Sequence, residues 1–262
     1  MTVPGPVGQV PAVRDPAALT EAAIPGVGAL ALAFAALDED AALFAAERAL
    51  REQECRSQAR RREFTAGRLA AHLVLTALGR APEPVLMAGR RPQFPPGVAG
   101  SLRHSGLWAV AGAGRFAMVG VDLETAAARC ALGPRAVRLF CAPEEQQADV
   151  LAVFSAKESV YKALGGRATD GAELPLSRIV CEPAAHGFTA YVTGQLPFPV
   201  RALHGADGSV LTATARPHPH PAAPCPPRPA ESRCPRRPPT RTTRTPLNAA
   251  FEGPAQGVAP CG

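Results

Sequence analysis

The stretch that most constrains this chain is a helix-patterned run over residues 149–164, which carries charged side chains inside an apolar frame. At about 100° per residue, its larger apolar side chains fall on one arc of the helix, from Val150 to Leu164. Glu158 and Lys162, four residues apart, flank that arc together. An exposed Glu-Lys pair at this spacing is common and stabilises a helix by about 0.3–0.5 kcal/mol. Because this pair borders the core-facing arc, we expect it to lie at the edge of a cleft.

Lys157 lies within the apolar arc of the same predicted helix. Its aliphatic stem must therefore be partly buried and its ammonium directed at a partner, unless the side chain snorkels to solvent. The helical pattern leaves both alternatives open.

A predicted strand over residues 116–123 carries acidic residues on one face. With a side-chain period of two, Gly120, Asp122 and Glu124 share that face, and the residues between them are apolar. Two carboxylates beside a glycine, which has no side chain, form either an open negative surface or a salt-bridged one. Because acids on two elements can share one cation, we expect this strand to be the partner of Glu158.

Basic residues recur at helical spacing in another predicted helix, which runs from about residue 60 to 78 and ends at Gly79. Arg60 and Arg68 project from one side of this helix, with Phe64 between them. The two arginines form either a solvated basic face or an anion site.

A proline-rich stretch over residues 89–97 also carries two basic residues. Its three prolines exclude regular structure and favour an ordered loop. Arg90 and Arg91 on a stiff loop can meet a phosphate or face water.

The remaining patterns of the first half indicate a sheet and a helix. Larger and small residues alternate over 27–36, which predicts the first strand, and a helix is expected at 41–53. A glycine-rich turn at 112–115 is expected to link a strand at 107–111 to the acidic strand as a hairpin.

The second half is predicted to hold short helices and then strands. Helical segments within residues 125–150 should break at Gly133-Pro134 and at Ala142-Pro143. Strands that would complete a second sheet are predicted at 177–182, 187–193 and 209–214.

Composition limits the class of protein. The chain has 262 residues, of which 47% are apolar, enough for one sizeable core or two small ones. Its seven cysteines are scattered without a CxxC pair, so neither a zinc site nor a disulfide framework is indicated. The apolar run at residues 27–37 is about half the length that crosses a bilayer. We therefore expect a cytoplasmic protein without membrane association.

The two ends of the chain differ from its centre. Residues 1–23 are rich in Pro, Gly and Ala and are predicted to be a flexible lead-in. Residues 217–262 hold 13 of the 29 prolines with little apolar patterning, which predicts a disordered tail. Six Arg against two Glu give this tail +4 of the net charge of +6, so the rest of the chain indicates no particular partner.

Five motifs occur in one order along the predicted elements: Arg-Arg-Glu-Phe-Thr-Ala-Gly-Arg (61–68), Gly-Arg-Arg-Pro-Gln-Phe-Pro-Pro-Gly (89–97), Gly-Ser-Leu-Arg-His-Ser (100–105), Gly-Val-Asp-Leu-Glu (120–124) and Phe-Ser-Ala-Lys-Glu-Ser-Val-Tyr-Lys-Ala (154–163). Together they resemble the 4′-phosphopantetheinyl transferases, specifically the enterobactin synthase component D-like branch of the surfactin-type group. The resemblance covers roughly residues 24–216, and the last two motifs together are its most specific part.

The resemblance implies an α+β molecule of two similar halves related by pseudo-twofold symmetry, residues 24–114 and 115–216, with coenzyme A held between them. It implies transfer of the 4′-phosphopantetheine moiety of coenzyme A to a serine of an apo acyl or peptidyl carrier protein, with release of adenosine 3′,5′-bisphosphate. The modified carrier protein would serve siderophore, nonribosomal peptide or polyketide biosynthesis. A monomer without a nucleic-acid partner is expected, because both halves lie in one chain.

Site residues follow from the resemblance by position. Asp122, Glu124 and Glu158 would hold Mg²⁺. Glu158 would also accept the proton of the carrier serine, while Lys162, with Lys157 as a second contact, would balance charge on the phosphate and leaving group. The expected contacts to coenzyme A are Arg60, Arg68, Arg90, Arg91, Ser101, His104, Lys157 and Lys162.

Two other classes of protein remain as alternatives to the enzyme. One is a catalytically silent homologue that binds coenzyme A or a carrier without turnover, although the intact acids argue against it. The other is an anion-binding or nucleic-acid-binding protein that acts through the basic tail. The tail's arginines lack interleaved aromatic residues, which disfavours that alternative.

Overall fold

A computed structural model of the chain describes residues 19–37, 42–89 and 91–218. Both halves contain strands and helices. In the first half the elements are β1 (Leu19–Ile24), β2 (Gly28–Ala36), α1 (Ala45–Glu54), α2 (Gln58–Ala77), β3 (Leu86–Ala88), β4 (Arg91–Gln93), β5 (Ala99–Ser105) and β6 (Trp108–Gly114). In the second half they are β7 (Met118–Glu124), α3 (Ala126–Ala131), α4 (Pro134–Phe140), a 3-10 helix (Glu144–Gln147), α5 (Val150–Ala163), a second 3-10 helix (Leu176–Arg178), β8 (Ile179–Ala184), β9 (Gly187–Val192), β10 (Phe198–His204) and β11 (Val210–Arg216).

The strands form two antiparallel sheets and a small ribbon. The first sheet has four strands in the order β1-β2-β6-β5, and the second has five in the order β7-β11-β10-β9-β8. Strands β3 and β4 pair with each other and, among the described residues, with no other strand. The two sheets pack face to face, and α2 and α5 cover their outer faces.

Strand β2 shows how sequence alternation produces this layering. Its larger side chains, Leu30, Leu32 and Phe34, point into the core between the two sheets. The alanines between them, such as Ala33 and Ala35, face α2. Since successive side chains point to opposite faces of a strand, one alternating segment supplies a bulky face for the sheet interface and a flat face for the helix.

The same core topology occurs in both halves. Each has a first strand, then a helix packed on the sheet, then a hairpin whose last strand pairs beside the first strand: β2, α2, β5 and β6 in one half, and β7, α5, β10 and β11 in the other. The expected α+β fold with two similar halves is confirmed.

The predicted hairpin with its turn at 112–115 is wrong. Gly112 lies within β6, and β6 and β7 belong to different sheets. A Cβ atom at Gly112 would lie 2.3 Å from Val121 Cγ1, so this glycine permits close packing between the sheets instead of forming a turn. The hairpin turn in this region is at Gly106, which has a φ of 60° and lies between the paired residues Ser105 and Trp108.

Three other segments differ from the predictions. The flexible lead-in was predicted to extend to residue 23, but β1 begins at Leu19, and the rest of that segment lies outside the described residues. A short strand, β4, occurs in the proline-rich stretch because Pro92 occupies a two-stranded ribbon that does not need every backbone N–H. Strand β10 was not predicted, because Pro199 and Arg201 interrupt its apolar alternation.

The predicted helix boundaries of the second half are confirmed. Helix breaks occur at Gly133-Pro134 and near Pro143, and α5 begins after Asp149, whose side chain accepts a hydrogen bond from the Leu151 N–H. The cysteines in the described part of the chain are unpaired. No helix among residues 19–37, 42–89 and 91–218 has the length and apolar character needed to span a bilayer. The predicted disordered tail lies outside the described residues beyond position 218.

Candidate active site

Strand β7 and helix α5 bring together the acidic residues that the sequence singled out. The apolar face of β7 enters the core between the sheets, so the face with Gly120, Asp122 and Glu124 lies toward α5. A Cβ atom at Gly120 would lie only 1.8 Å from the Ser159 carbonyl oxygen. The missing side chain therefore lets α5 approach β7 closely, and this places Lys162 beside Asp122.

Both acids of β7 are buried and paired with cations. Asp122 is 0% exposed and Glu124 4% exposed. Lys162 Nζ lies 2.6 Å from Asp122 Oδ1 and donates a second hydrogen bond to the Val121 carbonyl at 3.1 Å. Arg103, on the neighbouring strand β5, places its Nε 3.2 Å from the same Asp122 oxygen and forms an ion pair with Glu124.

Negative charge is nevertheless in excess at this position. Burial, followed by repulsion from Asp122, raises the pKa of Glu158 above its ordinary value, and the same two causes raise the pKa of Glu124. Lys162 and Arg103 offset only part of these shifts. In the part of the chain that the structure describes, Glu158 makes no hydrogen bond or ion pair.

These carboxylates suit a hard divalent cation by their chemistry, but they are not arranged as a finished metal site. Among the described residues, no three His, Cys, Asp or Glu side chains form a metal-binding group. Arg103 and Lys162 hold oxygens that a metal ion would use. Asp122 Oδ2, in contrast, is buried and has no hydrogen-bond partner within the described residues, so one ligand atom is free.

A cleft of about 710 Å³ runs between the two halves beside this acidic group. Lys162 lies in its wall, together with Arg91 and Ser101, which were also predicted to contact coenzyme A. Arg91 places Nη2 3.5 Å from the Ala163 carbonyl at the end of α5. The apolar part of the lining comes from both halves and includes Phe94, Leu102, Met118, Tyr161 and Leu164.

A second cleft, of about 550 Å³, contains four basic side chains. It lies between α1, α2 and strands β3 to β5, and three of its basic residues, Arg60, Arg68 and His104, were predicted to bind coenzyme A. His104 Nε2 lies 3.3 Å from Arg60 Nη1 and 3.5 Å from Glu63 Oε2. Burial lowers the pKa of His104, and Arg60 lowers it further, against the opposing effect of Glu63.

Arg68 is the most buried of these cations and the least satisfied. Its residue is 4% exposed, and its guanidinium carbon lies 4.1 Å from the centre of the Phe64 ring. Its Nε and Nη2 atoms are buried and have no hydrogen-bond partner in the described part of the chain. Burial lowers the pKa of Arg68 to about 10, although Glu47 acts in the opposite direction. Unpaired buried donors on a cation are costly, which indicates a site for an anion.

The prediction that Lys157 contacts substrate is wrong. Lys157 is 1% exposed, and its Nζ donates hydrogen bonds to the Phe140 carbonyl at 2.6 Å and to Glu145 Oε2 at 2.7 Å. Its position on the apolar arc carries the ammonium into the core of the second half, where Glu145 neutralises it. The snorkelling alternative is therefore also excluded.

Arg90, which was predicted to contact coenzyme A, lies outside the described residues. Arg103 was not predicted as a site residue, yet it binds both acids of β7 and lines the second cleft. The alternation of Ser101, Arg103 and Ser105 along β5 could have revealed a basic side chain on one face, but not which strand that face meets.

Two family models match successive parts of the chain. The 4′-phosphopantetheinyl transferase N-terminal domain matches residues 46–114, and the 4′-phosphopantetheinyl transferase superfamily matches residues 118–215. The chain belongs to the 4′-phosphopantetheinyl transferase superfamily.

Two curated relatives are similar to part of the chain, and both are named enterobactin synthase component D. The protein from Salmonella typhimurium is 34% identical over 119 residues, and that from Salmonella typhi is 36% identical over 119 residues. Each match covers 42% of this chain and 50% of the relative. The chain thus spans about half the length of the curated relatives it matches.

Proposed function

We propose that this chain transfers the 4′-phosphopantetheine moiety of coenzyme A to a serine of an apo acyl or peptidyl carrier protein, with Mg²⁺, and releases adenosine 3′,5′-bisphosphate. The observation that carries the proposal is the convergence of Asp122 and Glu124 of β7 with Glu158 and Lys162 of α5, between two clefts with basic walls. Membership of the superfamily supports it. The name shared by the two relatives favours a carrier of siderophore biosynthesis.

Asp122, Glu124 and Glu158 would hold the Mg²⁺ ion. Mg²⁺ prefers carboxylate and phosphate oxygens, and the buried, unpartnered Asp122 Oδ2 fits such a ligand. The bound ion would neutralise the charge that develops as the pyrophosphate link of coenzyme A breaks.

The basic residues of the second cleft would bind the nucleotide end of coenzyme A. Arg60 and His104 line its wall, and the unpaired donors of Arg68 provide hydrogen bonds for a phosphate group. We assign this cleft to the 3′-phosphate, whose charge would compensate the buried guanidinium. Arg91 and Ser101 in the first cleft would contact the remainder of the molecule.

Glu158 would accept the proton that leaves the carrier serine, directly or through a water molecule. Its raised pKa makes it a stronger base than an ordinary glutamate, and it has no competing hydrogen bond among the described residues. The serine oxygen then bonds to the phosphorus of the phosphopantetheine group. The bond from that phosphorus to the bridging oxygen breaks, and its electron pair leaves with adenosine 3′,5′-bisphosphate, while Lys162 balances the added charge.

The partners proposed on this basis are coenzyme A and the apo carrier. Both halves of the site come from one chain, so we propose that the chain acts as a monomer.

Intact-mass spectrometry tests the proposed activity. The full chain is incubated with coenzyme A, Mg²⁺ and apo carriers of the fatty-acid, polyketide and nonribosomal-peptide types, and we expect at least one carrier to gain the mass of one phosphopantetheine group. The same carrier with its acceptor serine replaced by alanine should gain nothing. Absence of a mass gain on every carrier would refute the proposed activity.

A single substitution then tests the role of Glu158. We expect Glu158→Gln to slow transfer by about 10²–10⁴-fold, because the amide cannot accept the proton. The circular dichroism spectrum should remain that of the unmodified chain. Transfer at an undiminished rate would exclude Glu158 as the base.

A further inference from the structure

Arg103 holds the oxygens that the proposed metal ion requires. Its Nε lies 3.2 Å from Asp122 Oδ1 and donates to the Leu123 carbonyl at 3.4 Å, and its Nη2 donates to Glu124 Oε1. Both acids are buried, so the guanidinium is their principal source of positive charge beside Lys162.

A guanidinium and a divalent ion cannot both be in contact with this carboxylate pair without strong repulsion. Charges of like sign at contact distance repel strongly in a partly buried site. Lys162 contacts the same Asp122 oxygen from the side of α5, so two cations already share that oxygen. A metal ion bound to both Asp122 and Glu124 would therefore lie close to the Arg103 guanidinium unless Arg103 moves away.

Arg103 has space into which it can move. Its side chain is 29% exposed and lines the second cleft, whose volume is about 550 Å³. It is held by ion pairs with Asp122 and Glu124 and by the hydrogen bond to the Leu123 carbonyl, and its exposed part faces this cleft. Its departure would therefore require a change of rotamer and not a rearrangement of the fold.

We propose that Arg103 is a built-in competitor of the divalent cation: it pairs with Asp122 and Glu124 when no metal is bound, and the metal binds to both acids by displacing it. The inference rests on the proposed function in one respect, since it takes these acids to be the metal ligands. It assigns Arg103 the role of setting metal affinity, so metal binding should be weaker than three carboxylates alone would provide.

Metal affinity measured without coenzyme A or carrier tests this role. We would titrate the full chain with Mn²⁺ and follow free Mn²⁺ by electron paramagnetic resonance, for the unmodified chain, Arg103→Gln and Arg115→Gln. Arg115 is exposed and lies before β7, so its replacement removes the same charge without touching the acids. We expect Arg103→Gln to bind Mn²⁺ at least about tenfold more tightly, because the interaction between two close charges typically changes an affinity by more than that factor. Arg115→Gln should stay within about twofold of the unmodified chain.

A measurement on the unmodified chain covers the case in which Arg103→Gln does not fold. The Arg103 Nε–H signal in the nitrogen-15 spectrum should shift as Mg²⁺ is added and should saturate with the bound metal, because its acceptors are lost. A signal that stays unchanged while Mg²⁺ binds would overturn the inference. So would Mn²⁺ affinity in a folded Arg103→Gln that is equal to or weaker than that of the unmodified chain.

The outcomes separate this inference from the proposed function. Tighter Mn²⁺ binding by Arg103→Gln in a chain that modifies no carrier would support the inference and refute the transferase activity. A chain that modifies carriers but shows no change in Mn²⁺ affinity on Arg103→Gln would support the transferase activity and refute the inference. Mn²⁺ binding by neither protein would overturn the inference.

Discussion

Arg68 and Lys157 are two buried cations with different hydrogen-bond partners. Lys157 is neutralised in place by Glu145 and a backbone carbonyl. Arg68 rests on the Phe64 ring and leaves two donors unpaired within the described residues. The first arrangement stabilises the fold, whereas the second indicates a ligand, because an unpaired buried donor costs free energy until an acceptor arrives.

Replacement of Arg68 should therefore impair ligand binding more than stability. For Arg68→Met we expect the Kd for coenzyme A to rise at least about tenfold, since a charge-assisted hydrogen bond contributes about 1.5–3 kcal/mol. The Kd for dephospho-coenzyme A, which lacks the 3′-phosphate, should change little. Isothermal titration calorimetry measures both constants, and thermal unfolding checks the fold.

Arg56→Met is the matched control for this experiment, because Arg56 is exposed and lies outside the second cleft. It should leave both constants unchanged. If Arg68→Met weakened the two ligands equally, the second cleft would not be the 3′-phosphate site.

Lys157 should matter for stability. Lys157→Met leaves Glu145 as an uncompensated buried charge, and we expect the free energy of unfolding to fall by about 3–5 kcal/mol. The double variant Lys157→Met with Glu145→Gln should recover part of this loss, since glutamine can still accept the Cys181 N–H bond that Glu145 now accepts at 2.7 Å. Urea unfolding measures all three values. A loss below about 1 kcal/mol in Lys157→Met would contradict a structural role for the pair.

At the level of elements, the contact between α5 and β7 decides the geometry of the site. Helix α5 supplies Glu158 and Lys162, and β7 supplies Asp122 and Glu124. The two elements approach closely because Gly120 has no side chain where the Ser159 carbonyl lies. The distance between the acids and Lys162 therefore depends on one glycine.

Gly120→Ala should separate these elements. The added Cβ would lie 1.8 Å from the Ser159 carbonyl oxygen. Because a backbone atom cannot move aside by a change of rotamer, α5 must shift away from β7. We expect a loss of about 1–3 kcal/mol in the free energy of unfolding, and a loss of transfer activity that exceeds what the remaining folded fraction explains. Urea unfolding and the intact-mass assay measure the two effects.

Gly133→Ala serves as the control, because nothing lies within 4 Å of the Cβ position at Gly133, and its φ of −66° suits alanine. This variant should match the unmodified chain in both measurements. Full activity in Gly120→Ala would show that the site tolerates a displaced α5.

At the level of the whole molecule, the two halves share one apolar core. Leu30, Leu32 and Phe34 of the first half pack with Val121 and Leu211 of the second, between the sheets. Neither half can expose this face to water without losing a large part of its buried apolar surface. The halves repeat a topology but are not independent domains.

The described part of the chain should therefore unfold as one unit. The single tryptophan, Trp108, lies in the first half and reports on it by fluorescence, while far-ultraviolet circular dichroism reports on both halves. We expect both signals to give one urea transition with the same midpoint, as for a two-state domain. Two separated midpoints would show that the halves unfold independently.

Local sequence patterns were sufficient to predict the elements that carry the chemistry. The helical arc of α5, the alternation of β2 and β7, and the break at Gly133-Pro134 depend on residues that are close in the chain. The side-chain period of two along β7 also predicted that Asp122 and Glu124 share one face of the strand. These predictions succeed because backbone periodicity is set by local geometry.

Which cation meets those acids could be decided only by the tertiary structure. Lys157 and Lys162 lie on the same helix, yet one enters the core toward Glu145 and the other reaches Asp122. Arg103 reaches the site because β5 of one sheet lies beside β7 of the other, and the predicted hairpin at 112–115 would have excluded that arrangement. Side-chain partners depend on the packing of distant segments and on the cost of burying an unpaired charge, and neither quantity is contained in a local pattern.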